Sequence, residues 1–141
     1  MLRIFSSPLD HATLPAAGYA AGRIFFGLTM ALTHGMMKFP PPAMLVEGLG
    51  SMGLPLPTAM AWAASLSEVL GGLLIAAGLF TRPAALFLAI TMAVAAFVAH
   101  GADPFAKKEM ALLYLFSSIM FLAIGGGRFS VDALIARGVR K

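Results

Sequence analysis

Four long apolar runs, separated by short breaks rich in proline, glycine and charge, constrain this chain more than any motif in it. They lie at about 14–37, 58–80, 84–100 and 108–125. A helix crossing the hydrocarbon of a bilayer needs about 20 apolar residues. The first two runs reach that length, and the last two reach it by borrowing interfacial flanks such as Arg82, Pro83, Lys107 and Lys108. A soluble domain of this size must cover a large surface with polar groups. With 60% hydrophobic residues, 11% charged residues and a mean hydropathy of +0.89, the chain does not hold them. The remaining solvent is lipid, and the expected fold is all-α: an integral membrane four-helix bundle forming one domain over residues 1–141. Ala16, Ala17, Ala20 and Ala21 would suit a signal-peptide cleavage site, but the apolar run continues well past them and no strongly basic segment precedes them.

The bias of Lys and Arg between loops sets the orientation. Four spans place Arg3, Arg82, Arg128, Arg137, Arg140 and Lys141 on one side and Lys38, Lys107 and Lys108 on the other, which predicts both termini in the cytoplasm. The longest connection, about Phe39 to Pro57, is then extracytoplasmic. Its Pro40–Pro42 run and its Gly50, Gly53, Pro55 and Pro57 exclude a long regular helix and predict a folded-back loop. The net charge of +4 comes from scattered residues, with no basic stripe to track a phosphate backbone, so nucleic acid is not an expected partner.

Two charges lie where lipid should not tolerate them. Arg23 and Glu68 sit inside spans one and two, where a charge costs about 2.5–3.5 kcal/mol on insertion scales. Counted inward from the cytoplasmic side they are about 9 and about 12 residues deep, a mismatch of about 5 Å that an arginine can bridge. One reading is therefore a buried ion pair that sets helix register. The other is a site gripping a polar headgroup or a quinone carbonyl. Arg23, Gly27, Met30, His34 and Lys38 share one helical stripe. Glu68 lies among the small residues Ala61, Ser65, Gly71 and Gly72, and Gly18 with Gly22 forms a small-xxx-small pair suited to close packing.

A second polar cluster gathers at the outer span ends: His34, Lys38, His100, Asp103, Lys107 and Glu109. Two histidines with Glu109 suit zinc or non-haem iron in kind, but no recognised metal spacing is present. The competing readings are a proton relay or headgroup-binding mouth, and an interfacial hydrogen-bond network closing the top of the helices. Thus Arg23, His34, Lys38, Glu68, His100 and Glu109 are the ligand-binding or proton-relay candidates. The phenylalanines and the ten methionines suit core or lipid contact better than a dedicated quinone slot. Trp62 and Tyr19 suit interface anchors, and the deeper Tyr114 needs an acceptor for its hydroxyl. With no cysteine, the chain supplies no thiolate metal ligand, cysteine-held cluster or thiol catalysis.

The ordered set of features resembles the DoxX family of small four-helix membrane proteins. Span one ends His34, Gly35, Met36, Met37, Lys38, Phe39. Span two carries Glu68, Gly71 and Gly72, then Gly78, Thr81 and Arg82. Span four opens at Glu109 with Leu112, Leu113 and Tyr114, and the chain closes Gly125, Gly126, Gly127, Arg128, Phe129, Ser130, Val131, Asp132. The resemblance runs from Arg23 to Asp132 and implies a multi-pass protein of a bacterial-type inner membrane. It further implies an association with membrane redox complexes, quinone-linked oxidation and oxidative stress. On that basis the chain would be an accessory subunit of an oxidoreductase, holding a quinone or lipid and docking a redox partner. The alternative is a non-catalytic scaffold or chaperone anchoring a partner protein, or a homo-oligomer. Transport of a lipophile or ion is disfavoured, because four spans leave little room for a pathway in one protomer.

Overall fold

In the computed structural model, which describes residues 13–138, every regular element is helical. Arg3, Arg140 and Lys141, which enter the charge bias above, lie outside the described residues. The first apolar run forms α1, Thr13–Thr29, and continues through a π-helical segment, Met30–Gly35, and a 3-10 turn, Met36–Lys38. This rod ends because Phe39 precedes Pro40. The ring of a following proline disfavours helical dihedrals, and Phe39 is extended at φ −122°, ψ 119°.

The second rod is α3, Pro57–Leu66, a π-helical segment, Ser67–Gly71, and α4, Gly72–Ala77. It follows α2, Ala43–Ser51. The third rod is α5, Thr81–Val94, with a π-helical segment, Ala95–Ala99; α6, Phe105–Ile124, is the fourth, and α7, Val131–Gly138, closes the described chain. Pro57 and Pro83 stand in the first turns of α3 and α5, where no intrahelical N–H is owed. Two of the rods, Pro57–Ala77 and Thr81–Ala99, are long and apolar enough to cross a membrane. The first rod carries Arg23 and His34, and the fourth begins with Lys107, Lys108 and Glu109.

The first rod packs along the second, and the third packs on the second and the fourth. Met30, Ile75, Leu88, Met92, Leu115 and Phe121 form the apolar core between them. Phe25, Phe87, Phe97 and Phe116 point outward instead. An exterior carrying many large apolar side chains would aggregate in water and suits hydrocarbon.

Two expectations about packing change. Gly18 and Gly22 do not mediate a close approach, for a Cβ at either would meet nothing within 4 Å. The close crossing is between Gly27 and Gly72, where a Cβ on Gly27 would lie 2.6 Å from the Ala76 nitrogen and one on Gly72 would lie 2.7 Å from the Gly27 carbonyl oxygen. A small-residue spacing shows that two backbones could approach, but only the partner helix decides which glycine is used. The connection after Pro42 also holds more order than a folded-back loop, since the nine-residue α2 fits between Pro42 at its N-cap and Gly53 beyond its end, and packs on α3.

Candidate functional site

The three π-helical segments lie on three different rods, and residues from all of them, or adjoining them, surround one chamber of about 160 Å³. π turns occur at functional sites more often than elsewhere, because the wider turn shifts the phase of the side chains beyond it. Here they deliver Met30 and His34 from the first rod, Glu68 from the second, and Ala95 with the following His100 from the third. The fourth rod adds Lys107, Met110, Ala111 and Tyr114, a set spaced for one helix face.

Glu68 is the centre of this chamber. Its side chain is only 2% exposed, and Oε1 accepts a hydrogen bond from Lys38 Nζ at 2.7 Å. Oε2 is buried with no donor. The burial follows from Gly35: a Cβ there would lie 2.8 Å from the Val69 nitrogen, so only glycine lets the first rod close over this turn. Lys38 is 40% exposed, so its charge reaches the rim while its head pairs inward. Ser65 Oγ donates to the Lys38 carbonyl at 2.7 Å and holds the end of the first rod against the second. The His34 ring stands edge-on to Tyr114 with centroids 5.3 Å apart.

At the mouth, His100 Nδ1 and Asp103 Oδ2 are 2.9 Å apart, and Lys107 Nζ is 3.6 Å from Asp103 Oδ1. The hydrogen bond with His100 is the main reason the half-buried Asp103 carboxyl sits below its ordinary value, with the Lys107 charge adding to it. On the far side of His34 and Lys38 lies an apolar groove of about 510 Å³, walled by Met37, by Leu45 and Leu49 of α2 and by Met52 just beyond it. Chamber and groove share His34 and Lys38 as a common wall.

The remaining candidates lie elsewhere. Glu109 is exposed and does not line the chamber, because it sits two positions from Lys107 on α6, about 200° away around the helix. That separates it from His34 and His100, and among the described residues no three of His, Asp and Glu come together in a metal-holding group. Arg23 does not pair with Glu68. Its Nη1 donates to the carbonyls of Ile75 and Ala76, the latter at 2.6 Å, and Nη2 donates to the Phe129 carbonyl at 2.8 Å. The glycine crossing sets this register. Arg23 lies level with Ala76, and Glu68 is eight residues further along the second rod, about 12 Å away rather than about 5 Å.

Arg23 therefore closes a knot at the opposite end from the chamber. α4 ends in Gly78 at φ 69°, with Gly78 N–H donating to Ile75 and Leu79 N–H to Leu74. A guanidinium on the last carbonyls of a helix complements its dipole. A side chain at Gly78 is excluded twice, by the left-handed backbone and by Ser130 Cβ at 2.5 Å from where its Cβ would stand. Asp132 reaches back to accept from the N–H groups of Phe80 and Thr81 at 2.9 and 3.1 Å and from the Thr81 hydroxyl at 3.0 Å, which caps α5 from outside its own segment. Tyr19 donates to the Gly125 carbonyl at 2.6 Å in the same knot.

Lys107 was already in the polar cluster read from the sequence, whereas Tyr114, Met92 and Met110 were not foreseen as chamber walls, nor was the groove under α2. Tyr114 at seven residues from Lys107 was a readable helical-face signal, whereas the π turns have no local sequence signature.

The DoxX family profile matches residues 18–101, which spans the first three rods and His100. This chain belongs to the DoxX family. Among curated relatives, an uncharacterized protein of Haemophilus influenzae is 36% identical over 111 residues, covering 73% of this chain and 80% of its own. A Bacillus subtilis protein named "Putative oxidoreductase CatD" is 34% identical over 119 residues, covering 83% of this chain and 82% of its own. No solved structure gives a significant match. DoxX proteins are membrane-associated, in keeping with the two apolar rods and the outward phenylalanines.

Proposed function

We propose that this DoxX protein is a four-span inner-membrane protein with both termini cytoplasmic, an accessory subunit of an oxidoreductase that holds a quinone or similar lipophile at the chamber around Glu68. One observation carries the reading: Glu68 Oε2 is a buried acceptor without a donor, in a polar chamber that shares a wall with an apolar groove. Leaving such an atom unpaired costs about 1–3 kcal/mol, so a guest donor placed there is favoured. The chamber is smaller than the roughly 300–1,000 Å³ of ordinary ligand pockets, while the groove falls within that range. That division suits an amphiphile with its polar head among Glu68, Lys38 and His34 and its apolar tail along Met37, Leu45 and Met52 of the groove.

The residues serve both redox forms of such a head. Glu68 Oε2 would accept a hydrogen bond from the hydroxyl of a reduced head, and Lys38 or a histidine would donate one to the carbonyl of an oxidised head. Conversion between the forms moves two electrons and two protons. Glu68 takes or gives protons inside the chamber, and His100 with Asp103 and Lys107 connects it to the mouth. The electrons pass to or from a redox partner, since this chain has neither cysteine nor a Gly-rich nucleotide loop. The name of the Bacillus relative supports an oxidoreductase context.

The test is mass spectrometry of lipophiles co-purifying with the native protein and with Glu68→Gln, prepared identically and matched for helical content. Enrichment of a quinone in the native sample and at least tenfold depletion in the variant are expected. Equal quinone content in both overturns the proposal and turns the search to a scaffold role.

A further inference from the structure

We infer a second lipid site at the other end of the rods, where α7 and the segment before it form a cradle for the headgroup of an anionic phospholipid. This site rests on the membrane reading alone and is independent of the chamber. The cradle is a cavity of about 290 Å³ whose walls include Arg128, Phe129, Val131, Leu134 and Arg137. Two arginines thus line a cavity whose other walls are largely apolar, a combination that suits the phosphate of a lipid together with the start of its acyl chains.

Its position in the fold sets its depth. α7 is pinned at its start, where Ser130 Oγ accepts the Ala133 N–H at 3.1 Å and Asp132 N–H donates to the Gly78 carbonyl at 2.9 Å while the Asp132 carboxylate caps α5. Those bonds hold α7 level with the end of α4, the start of α5 and the glycines after α6, where the membrane reading puts the change from hydrocarbon to headgroups. Beyond this anchored turn the helix is free of the core, and Leu134 and Ile135 are 64% and 53% exposed. An amphipathic helix with exposed leucine and isoleucine and a terminal arginine lies in the interface plane, apolar side toward the acyl chains. Phe129, with Arg128 5.6 Å above its ring, adds an aromatic at the same level. Zwitterionic lipid meets the same apolar floor but brings no net charge to the two arginines, so the cradle selects for anionic headgroups.

The experiment is native mass spectrometry of the full chain in detergent, titrated separately with phosphatidylglycerol and phosphatidylcholine of matched chains. Phosphatidylglycerol should bind at least tenfold more tightly than phosphatidylcholine. Each of Arg128→Gln and Arg137→Gln should weaken it about fivefold, and the double variant roughly thirtyfold. Arg82→Gln is the control, because this arginine lies at the same end but donates to the Ala123 carbonyl and does not line the cradle. It should leave phosphatidylglycerol affinity unchanged. Equal binding of the two lipids, full affinity in the double variant, or an equal loss in Arg82→Gln overturns the site. Unchanged far-UV circular dichroism in all variants separates a lost site from a lost fold. Neither result bears on Glu68→Gln, so this site and the chamber fail independently.

Discussion

The crossing of Gly27 with Gly72 organises both ends of the molecule, and Gly27→Ala is the sharpest way to test it. The added Cβ would stand 2.6 Å from the Ala76 nitrogen and 2.9 Å from its Cα, both backbone atoms, where ordinary contact begins near 3.4 Å. No side chain can swing aside, so the rods must part by almost an ångström. Overpacking of that kind costs about 1–3 kcal/mol. Parting also stretches the bond from Arg23 Nη1 to the Ala76 carbonyl beyond its present 2.6 Å. A hydrogen bond to a charged group is worth about 1.5–3 kcal/mol. Against these stands the gain of replacing glycine by alanine in a helix, about 1 kcal/mol. The net loss is about 1.5–5 kcal/mol. Gly22→Ala meets nothing within 4 Å and should stabilise by up to about 1 kcal/mol. The assay is unfolding of the purified protein in mixed detergent and dodecyl sulfate, followed by far-UV circular dichroism. If Gly27→Ala proves as stable as Gly22→Ala, the first two rods do not cross there and the register that separates Arg23 from Glu68 is wrong.

Asp132→Ala removes three bonds from the start of α5 and should cost about 1–2 kcal/mol in the same unfolding assay, with Asp132→Asn costing less; no loss would mean that the cap is unimportant. The His100 hydrogen bond and the Lys107 charge hold the Asp103 carboxyl below its ordinary value, so its contribution to the mouth is present above the ordinary value and is lost only as pH falls through the lower folded one. His100→Gln should bring its titration back up toward the ordinary range, observable by carboxyl carbon NMR, and an unmoved titration would discard the His100 contact. Glu109→Gln should retain any co-purifying lipophile at the native level, in contrast to Glu68→Gln, because Glu109 faces away from the chamber. The absence of native cysteine makes topology directly testable. In intact cells Ser51→Cys should react with a membrane-impermeant maleimide and Arg137→Cys should not, while the reverse pattern would invert the proposed orientation.

Much of the architecture was legible in the chain. The apolar runs locate the rods, because burying a backbone in an apolar medium requires its hydrogen bonds to be satisfied within a helix. The proline run marks where the first rod stops, and Gly78 marks where the second stops. His34, Lys38, Glu68 and His100 were picked out by charge and helical phase, and the structure brings these four to one chamber. Glu109 shared their depth but not their direction. Its depth could be counted from the sequence, whereas the face of α6 that meets the other rods depends on packing.

The sequence by itself determined that polar groups would be trapped at two levels of an apolar helical protein, since Arg23 and Glu68 interrupt runs too apolar to leave the membrane. It also determined the family, through the order of its short motifs. Only the tertiary structure decided what each trapped charge meets. The crossing of Gly27 with Gly72 sets the register of the two antiparallel rods, and an offset of eight residues, where the sequence suggested about three, turns an expected ion pair into two separate sites. The two Nη groups of Arg23 donate to backbone carbonyls that no side-chain pattern announces, leaving its Nε unpaired, and Glu68 keeps one oxygen unpaired inside a chamber lined from three π-helical rods. Helical periodicity gives the face of a single rod, but the partner across that face is a property of the packed whole.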